Sequence, residues 1–203
     1  MRRLRLRDVL ASSQELAGLR DFLARGGVAA LPTETFYALA ADPTSESGVS
    51  RIFEIKGRDD GKALLVLFSS REQLEALGVA AHPDLVDGLF RLWPAPLTAV
   101  LPLRAPIAAS RGSATLGVRM PAAPRVRELL DAVGPLTGTS ANRSGEPPIT
   151  DADEVARCLG AHLELLLDGG TTPGGAPSTI VDATVEPPRL LRSGAFAWTD
   201  RPD

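Results

Sequence analysis

Val49-Ser50-Arg51-Ile52-Phe53-Glu54-Ile55-Lys56-Gly57-Arg58-Asp59-Asp60-Gly61-Lys62-Ala63-Leu64-Leu65-Val66-Leu67-Phe68 is the stretch that decides the fold. Val49, Ile52, Phe53 and Ile55 recur at helical spacing, and the pattern stops near Gly57. Residues 63–68 are then a continuous apolar run, the mark of a central strand. The same change of period recurs on both sides. Upstream, Ser12-Ser13-Gln14-Glu15 starts a helix carrying Leu16, Leu19, Phe22 and Leu23, which Gly26-Gly27 stops. Residues 28–31 form a short buried strand ended by Pro32. Downstream, Ser70 with Gln73 resembles a capping box for a helix through Leu77. Pro83 opens a helix carrying Leu85, Val86, Leu89 and Phe90. Strands follow at 97–101 and 115–119, then a helix at 125–133. Thr150 caps a helix through Leu159, and strands at 163–167, 178–181 and 190–192 complete the pattern. Strands alternating with helices predict an α/β layered domain. Some strands follow others with no helix between them, so the sheet is predicted to be mixed.

At 203 residues the chain suits one well-buried domain over 1–203. Aromatic residues are only 4%, so Leu, Val, Ile and Ala must fill most of the core. No apolar run is long enough to span a bilayer. The arginine-rich start, residues 1–8, has no apolar signal core and reads as an edge strand or entry arm, so a cytoplasmic location is expected. The net charge of -3 speaks against a general nucleic-acid binder but leaves room for a local basic cleft. Cys158 is the single cysteine, and His82 and His162 are the only histidines. A structural zinc site and an internal disulfide are therefore not expected.

The familiar catalytic devices are missing. Residues 57–63 lack the glycine spacing and the Ser/Thr of a P-loop, and no GxGxxG or HExxH occurs. Cys158 falls mid-helix as a packed or bystander thiol, and His82 reads as a helix-start residue. What stands out is polar chemistry at strand ends. Thr33 and Thr35 alternate and should face one way, while Glu34 between them reads as solvated surface in preference to a general base. Lys56 and Arg58 sit at a helix end, where cations complement the dipole without any ligand. With Lys62 they also suit a phosphate cradle. Arg119 ends an apolar strand on the face it shares with Thr115 and Gly117, exposed or clamping a carboxylate. The loop at 139–148 is an ordinary turn or an anion-binding nest.

In order, these segments resemble the YrdC-type family of threonylcarbamoyl-AMP synthases. The resemblance rests on residues 31–37 (Leu-Pro-Thr-Glu-Thr-Phe-Tyr), Ile55-Lys56-Gly57-Arg58, residues 93–98 (Trp-Pro-Ala-Pro-Leu-Thr) and residues 117–121 (Gly-Val-Arg-Met-Pro). It continues through residues 139–147 (Thr-Ser-Ala-Asn-Arg-Ser-Gly-Glu-Pro), 178–182 (Ser-Thr-Ile-Val-Asp) and 191–195 (Leu-Arg-Ser-Gly-Ala), and so covers nearly the whole chain. Each motif alone is weak; their fixed order is specific.

The resemblance implies a twisted mixed sheet with flanking helices and a large concave cavity, in the single-domain form of the family. It implies that L-threonine, bicarbonate and ATP, the last with Mg²⁺, yield threonylcarbamoyl-AMP and pyrophosphate. Partner proteins then transfer the threonylcarbamoyl group to tRNA, so weak tRNA binding is possible; no protein-ligated metal is expected. Lys56, Arg58, Lys62, Thr115, Ser140, Asn142 and Arg192 would line the ATP side, with Lys56 and Arg58 acting on the reacting phosphates. Thr35, Arg119, Thr139 and Ser178 would hold threonine or its carbamate. Two departures stand out. Ala38-Leu39-Ala40 replaces the usual Gly-Leu-Gly, and Asp59-Asp60 follows the arginine where relatives carry proline. These keep open a same-fold paralogue with another adenylate-forming or hydrolytic activity, and a non-enzymatic RNA-binding module.

Overall fold

The computed structural model describes residues 1–57 and 61–199. In chain order the elements are β1 (Arg2–Arg5), α1 (Leu6–Leu10), α2 (Ser13–Ala24), β2 (Ala29–Pro32), β3 (Tyr37–Ala40), α3 (Glu46–Lys56), β4 (Val66–Leu67), α4 (Arg71–Ala76), α5 (Pro83–Leu92) and β5 (Leu97–Pro102). A 3-10 turn at Ala108–Ser110 follows, then β6 (Thr115–Arg119), α6 (Pro124–Val133), β7 (Leu136–Thr137), β8 (Thr139–Ser140), α7 (Ala152–Leu159), β9 (Leu165–Asp168), β10 (Thr179–Asp182) and β11 (Arg189–Arg192).

The strands form two sheets rather than the single one expected. One has the order β1-β9-β2-β3-β8, the other β11-β10-β5-β6-β4-β7. Each is mixed: β2 pairs parallel with β9 and antiparallel with β3, and β5 pairs parallel with β10 and antiparallel with β6. The arginine-rich start is an edge strand, paired parallel with β9.

Alternation along the first sheet explains why both its faces are covered. In β9, Leu165 and Leu167 enter one core with α1, α2 and α6, while Leu166 enters the larger core. In β3, Ala38 and Ala40 join the smaller core, whereas Tyr37 and Leu39 join the larger. A strand buried on both faces reads as an apolar run rather than as an alternation. Few aromatics are needed: Phe68, Phe90 and Trp93 make one cluster, with Trp93 edge-on to both phenylalanines, and Trp93 Nε1 donates to Leu97 O at 2.7 Å.

Three local expectations are corrected. The run at 63–68 is a strand only at Val66–Leu67. Leu64 N–H instead donates to Ala109 O, and Leu65 O accepts from Gly138 N–H, so burial outruns strand pairing. Asp151, not Thr150, caps α7, its Oδ1 accepting from Asp153 and Glu154 N–H at 2.8 and 3.3 Å. A carboxylate there satisfies two orphan donors and faces the positive helix end. At α4, Ser70 Oγ accepts from Gln73 N–H, but Gln73 Oε1 accepts from Ser69 N–H and its Nε2 donates to Leu130 O. Half of that capping box is spent tying α4 to α6.

Gly138 is where the chain steps between the sheets, with β7 in one and β8 in the other. Thr137 stitches the junction: its N–H donates to Ala41 O, and its Oγ1 accepts from Ala41 N–H at 2.9 Å. A Cβ on Gly138 would stand 2.7 Å from Leu67 Cγ. Leu67 is fully buried, so it has no room to yield. Gly138→Ala is therefore expected to destabilise the protein by about 1–3 kcal/mol through overpacking. Denaturant titration checks this, and an unchanged midpoint would refute it.

Candidate functional site

A cleft of about 260 Å³ opens at this junction. The first sheet contributes Tyr37 and Ala38 from β3 and Thr139 and Ser140 from β8. The second contributes Thr98 from β5, Arg119 from β6 and Arg192 from β11. The loops add Thr33, Thr35 and Ser178. Strand ends from two sheets converge here because Gly138 joins them, so residues more than 150 positions apart share one wall.

Thr33 and Thr35 face the cleft together, their hydroxyls 3.2 Å apart. Thr33 Oγ1 also donates to Phe36 O at 2.7 Å and accepts from Thr35 and Phe36 N–H. It closes its own turn, which holds Thr35 in place. Tyr37 anchors the next position, donating its hydroxyl to Gly170 O at 2.7 Å and accepting from Gly169 N–H.

Arg119 is almost fully buried, with its side chain 5% exposed. Its Nη1 stands 3.5 Å from Glu34 Oε1. Glu34 was expected to be solvated; its side chain is only 13% exposed and faces the guanidinium. Turn closure by Thr33 explains the difference, since it sends Glu34 inward between two cleft-facing threonines. Burial pushes the Arg119 guanidinium below its ordinary pKa; Glu34 opposes that shift and nearby Arg192 adds to it. Arg192 lies on an exposed strand and donates to Ser178 O at 2.7 Å, and Ser178 Oγ meets Thr98 Oγ1 at 2.9 Å. Arg192, too, is shifted down by desolvation.

Lys56 does not line the cleft. Its Nζ donates to Ser140 O at 2.7 Å, Asn142 O at 3.0 Å and Asn142 Oδ1 at 3.4 Å. Ser140 Oγ in turn donates to Asn142 Oδ1 at 2.5 Å, and Asn142 Nδ2 donates to Glu146 O. The lysine at the end of α3 thus clamps the 139–146 loop, with Gly57 ending the helix in the left-handed region at φ 67°. Three acceptors of this loop converge on one ammonium, which has three N–H donors.

Of the predicted site residues, Thr35, Arg119, Thr139, Ser140, Ser178 and Arg192 come together around the cleft. Lys56 and Asn142 stand one layer behind, supporting Ser140. Lys62 is exposed and absent from the wall. Thr115 opens β6, two residues before Gly117 and four before Arg119, and its Oγ1 bonds Ser113 rather than facing the cleft. Arg58, with Asp59 and Asp60, lies outside the described residues. Thr98 and Glu34 were missed as site residues. Thr98 ends the quoted motif at 93–98 without a role, and Glu34 sits inside the one at 31–37, read as surface or a general base and not as a partner of Arg119. Among the described residues no group of three or more His, Cys, Asp or Glu side chains is placed to hold a metal ion.

Residues 21–194 match the Sua5/YciO/YrdC family model, described as telomere recombination. The threonylcarbamoyl-AMP synthase of Pyrococcus abyssi is 40% identical over 178 residues, covering 86% of this chain and 52% of the relative. The chain therefore spans about half the length of that relative. The threonylcarbamoyl-AMP synthase of Thiobacillus denitrificans is 37% identical over 180 residues, covering 85% of this chain and 94% of its own length. The crystal structure of P. abyssi Sua5 complexed with L-threonine superposes with a TM-score of 0.81 at 37% identity, over 90% of this chain and 55% of the other. By this sequence match and this likeness of fold, the chain belongs to the Sua5/YciO/YrdC family.

Proposed function

We propose that this protein is a threonylcarbamoyl-AMP synthase. It joins L-threonine, bicarbonate and ATP into threonylcarbamoyl-AMP and pyrophosphate, a nucleotidyl transfer that feeds tRNA threonylcarbamoyladenosine formation. The observation that carries the reading is Arg119, a buried guanidinium lining a cleft among the hydroxyls of Thr35, Thr139 and Ser178. A small hydroxy amino acid offers the matching groups: a carboxylate for the arginine fork and a hydroxyl for the threonine and serine donors. The naming of the relatives as threonylcarbamoyl-AMP synthases and the threonine complex of P. abyssi Sua5 support the same substrate.

The chemistry needs no protein nucleophile. The threonine amine takes up the carboxyl carbon of bicarbonate with loss of water. A carbamate oxygen then attacks the α-phosphorus, forming an O–P bond as the bond to the β-phosphate oxygen breaks and pyrophosphate leaves. Positioning and electrostatic stabilisation carry such a step. In the proposed roles, Thr35, Arg119, Thr139 and Ser178 hold threonine. Ser140, Asn142 and Arg192, with Lys56, Arg58, Lys62 and Thr115, serve the ATP side, and Mg²⁺ arrives on the nucleotide. Lys56 acts by holding Ser140 and Asn142 in place. A cleft closed off from water would protect the carbamate. A cytoplasmic location, tRNA contact and downstream transfer proteins belong to the same proposal. Among the described residues no helix is long and apolar enough to cross a membrane.

Ala38 keeps a second activity in view, because it lines the cleft at a position where the family pattern has glycine. A paralogue using another substrate is the alternative. Pyrophosphate release with each substrate omitted in turn separates the two. The expected result is release that needs both L-threonine and bicarbonate; release independent of either overturns the synthase reading.

A further inference from the structure

We infer that Glu34 is a positioning residue that holds the Arg119 guanidinium in register with the cleft. Glu34 is not among the cleft-lining residues, while its neighbours Thr33 and Thr35 are. Its carboxylate reaches Arg119 at 3.5 Å, too long for a hydrogen bond, so the pair is held by charge rather than by a fork. Arg119 Nε and both Glu34 oxygens are buried with no hydrogen-bond partner among the described residues. Such an arrangement makes no sense as a stability device, since a buried ion pair repays desolvation only when its lone pairs and protons are satisfied. It does make sense as a half-built site. Glu34 neutralises part of the charge on a desolvated arginine and sets its direction. It leaves guanidinium donors uncommitted for an anion entering the cleft.

The charge count gives the class of anion. Arg119 and Arg192 line the cleft, and Glu34 is the only acidic side chain paired with Arg119 among the described residues. Among the described residues the two arginines outweigh Glu34 by one positive charge, so the cleft suits an anion, and on the Arg119 side the proposed anion is the threonine carboxylate. Without the Glu34 charge, Arg119 would face Arg192 uncompensated, and the guanidinium would turn away from its present position. The ligand side of the inference rests on the proposed threonine substrate; the placement of Arg119 does not.

Two measurements on Glu34→Gln, which keeps the shape and removes the charge, test it. In a crystal structure of the variant without ligand, the Arg119 guanidinium is expected to leave its present position. A guanidinium that stays in place overturns the inference, whatever the substrate. Calorimetric titration then compares L-threonine with L-threonine amide, which lacks the carboxylate. Glu34→Gln is expected to weaken L-threonine by at least about tenfold while the amide and ATP change by less than about twofold. Glu34→Asp, keeping the charge, should recover part of the loss. Equal weakening of all three ligands means a general structural defect and overturns the positioning role. If the wild type binds no L-threonine yet the guanidinium moves in the variant, the placement of Arg119 by Glu34 stands. The threonine reading falls instead.

Discussion

Arg119→Ala is expected to weaken L-threonine binding by about 100-fold or more while ATP binding changes by less than about threefold. Truncating one side of a buried charged contact costs about 2–5 kcal/mol, and ATP is not assigned to this arginine. The variant carries a side effect that the structure makes explicit. Removing Arg119 leaves Glu34 at 13% exposure with its counter-charge gone. Breaking a buried pair from one side costs about 3–5 kcal/mol of stability. The double variant Glu34→Gln/Arg119→Met removes both charges and is expected to recover most of that stability without recovering threonine affinity. Calorimetric titration with each ligand, beside a denaturant melt, reads both quantities. Equal losses of threonine and ATP affinity in a folded variant would contradict the assignment.

Lys56→Met should be the second large effect. It removes one ammonium and leaves Ser140 O, Asn142 O and Asn142 Oδ1 without that donor. Ser140 O keeps the Asn142 N–H and Asn142 Oδ1 keeps the Ser140 hydroxyl, so the main loss falls on Asn142 O. A buried acceptor left unsatisfied costs about 1–3 kcal/mol, and the loop at 139–146 should loosen before the rest of the fold. Since Ser140 lines the cleft, kcat/KM is expected to fall by at least about 100-fold, a size typical of losing preorganised groups around a reacting phosphate. Faster amide hydrogen exchange at 139–146 should accompany the fall. Lys56→Arg should not rescue it, because a planar fork cannot aim at the same three acceptors. Near-normal turnover in Lys56→Met would show that the clamp is dispensable.

These two residues also show what a linear sequence can and cannot reveal. The helix that ends at Lys56 and the strand that ends at Arg119 were both readable, because the period of apolar residues and the terminal glycine are local signals. β6 was placed at 115–119, as observed. What the sequence does not carry is direction. Lys56 at a helix end was readable as a dipole cation or as part of a phosphate cradle; its hydrogen bonds to Ser140 and Asn142, on a loop more than 80 residues away, were not. Glu34 looked solvated because nothing nearby in sequence announces a buried arginine. The split into two sheets was equally hidden. It depends on Gly138 separating two strands of two residues each, too short for a periodic signal. The ordered set of motifs fared better, because it records the joint placement of strand ends that single segments cannot express. Six of its predicted site residues meet around one cleft.

The most direct test of the account follows the carbon that only the proposed reaction would fix. The protein is incubated with ATP, L-threonine and ¹³C-bicarbonate, and the nucleotide products are analysed by mass spectrometry. The prediction is a threonylcarbamoyl adenylate carrying the ¹³C label, formed in step with pyrophosphate and lost in Arg119→Ala. Pyrophosphate release without any labelled adenylate would contradict it.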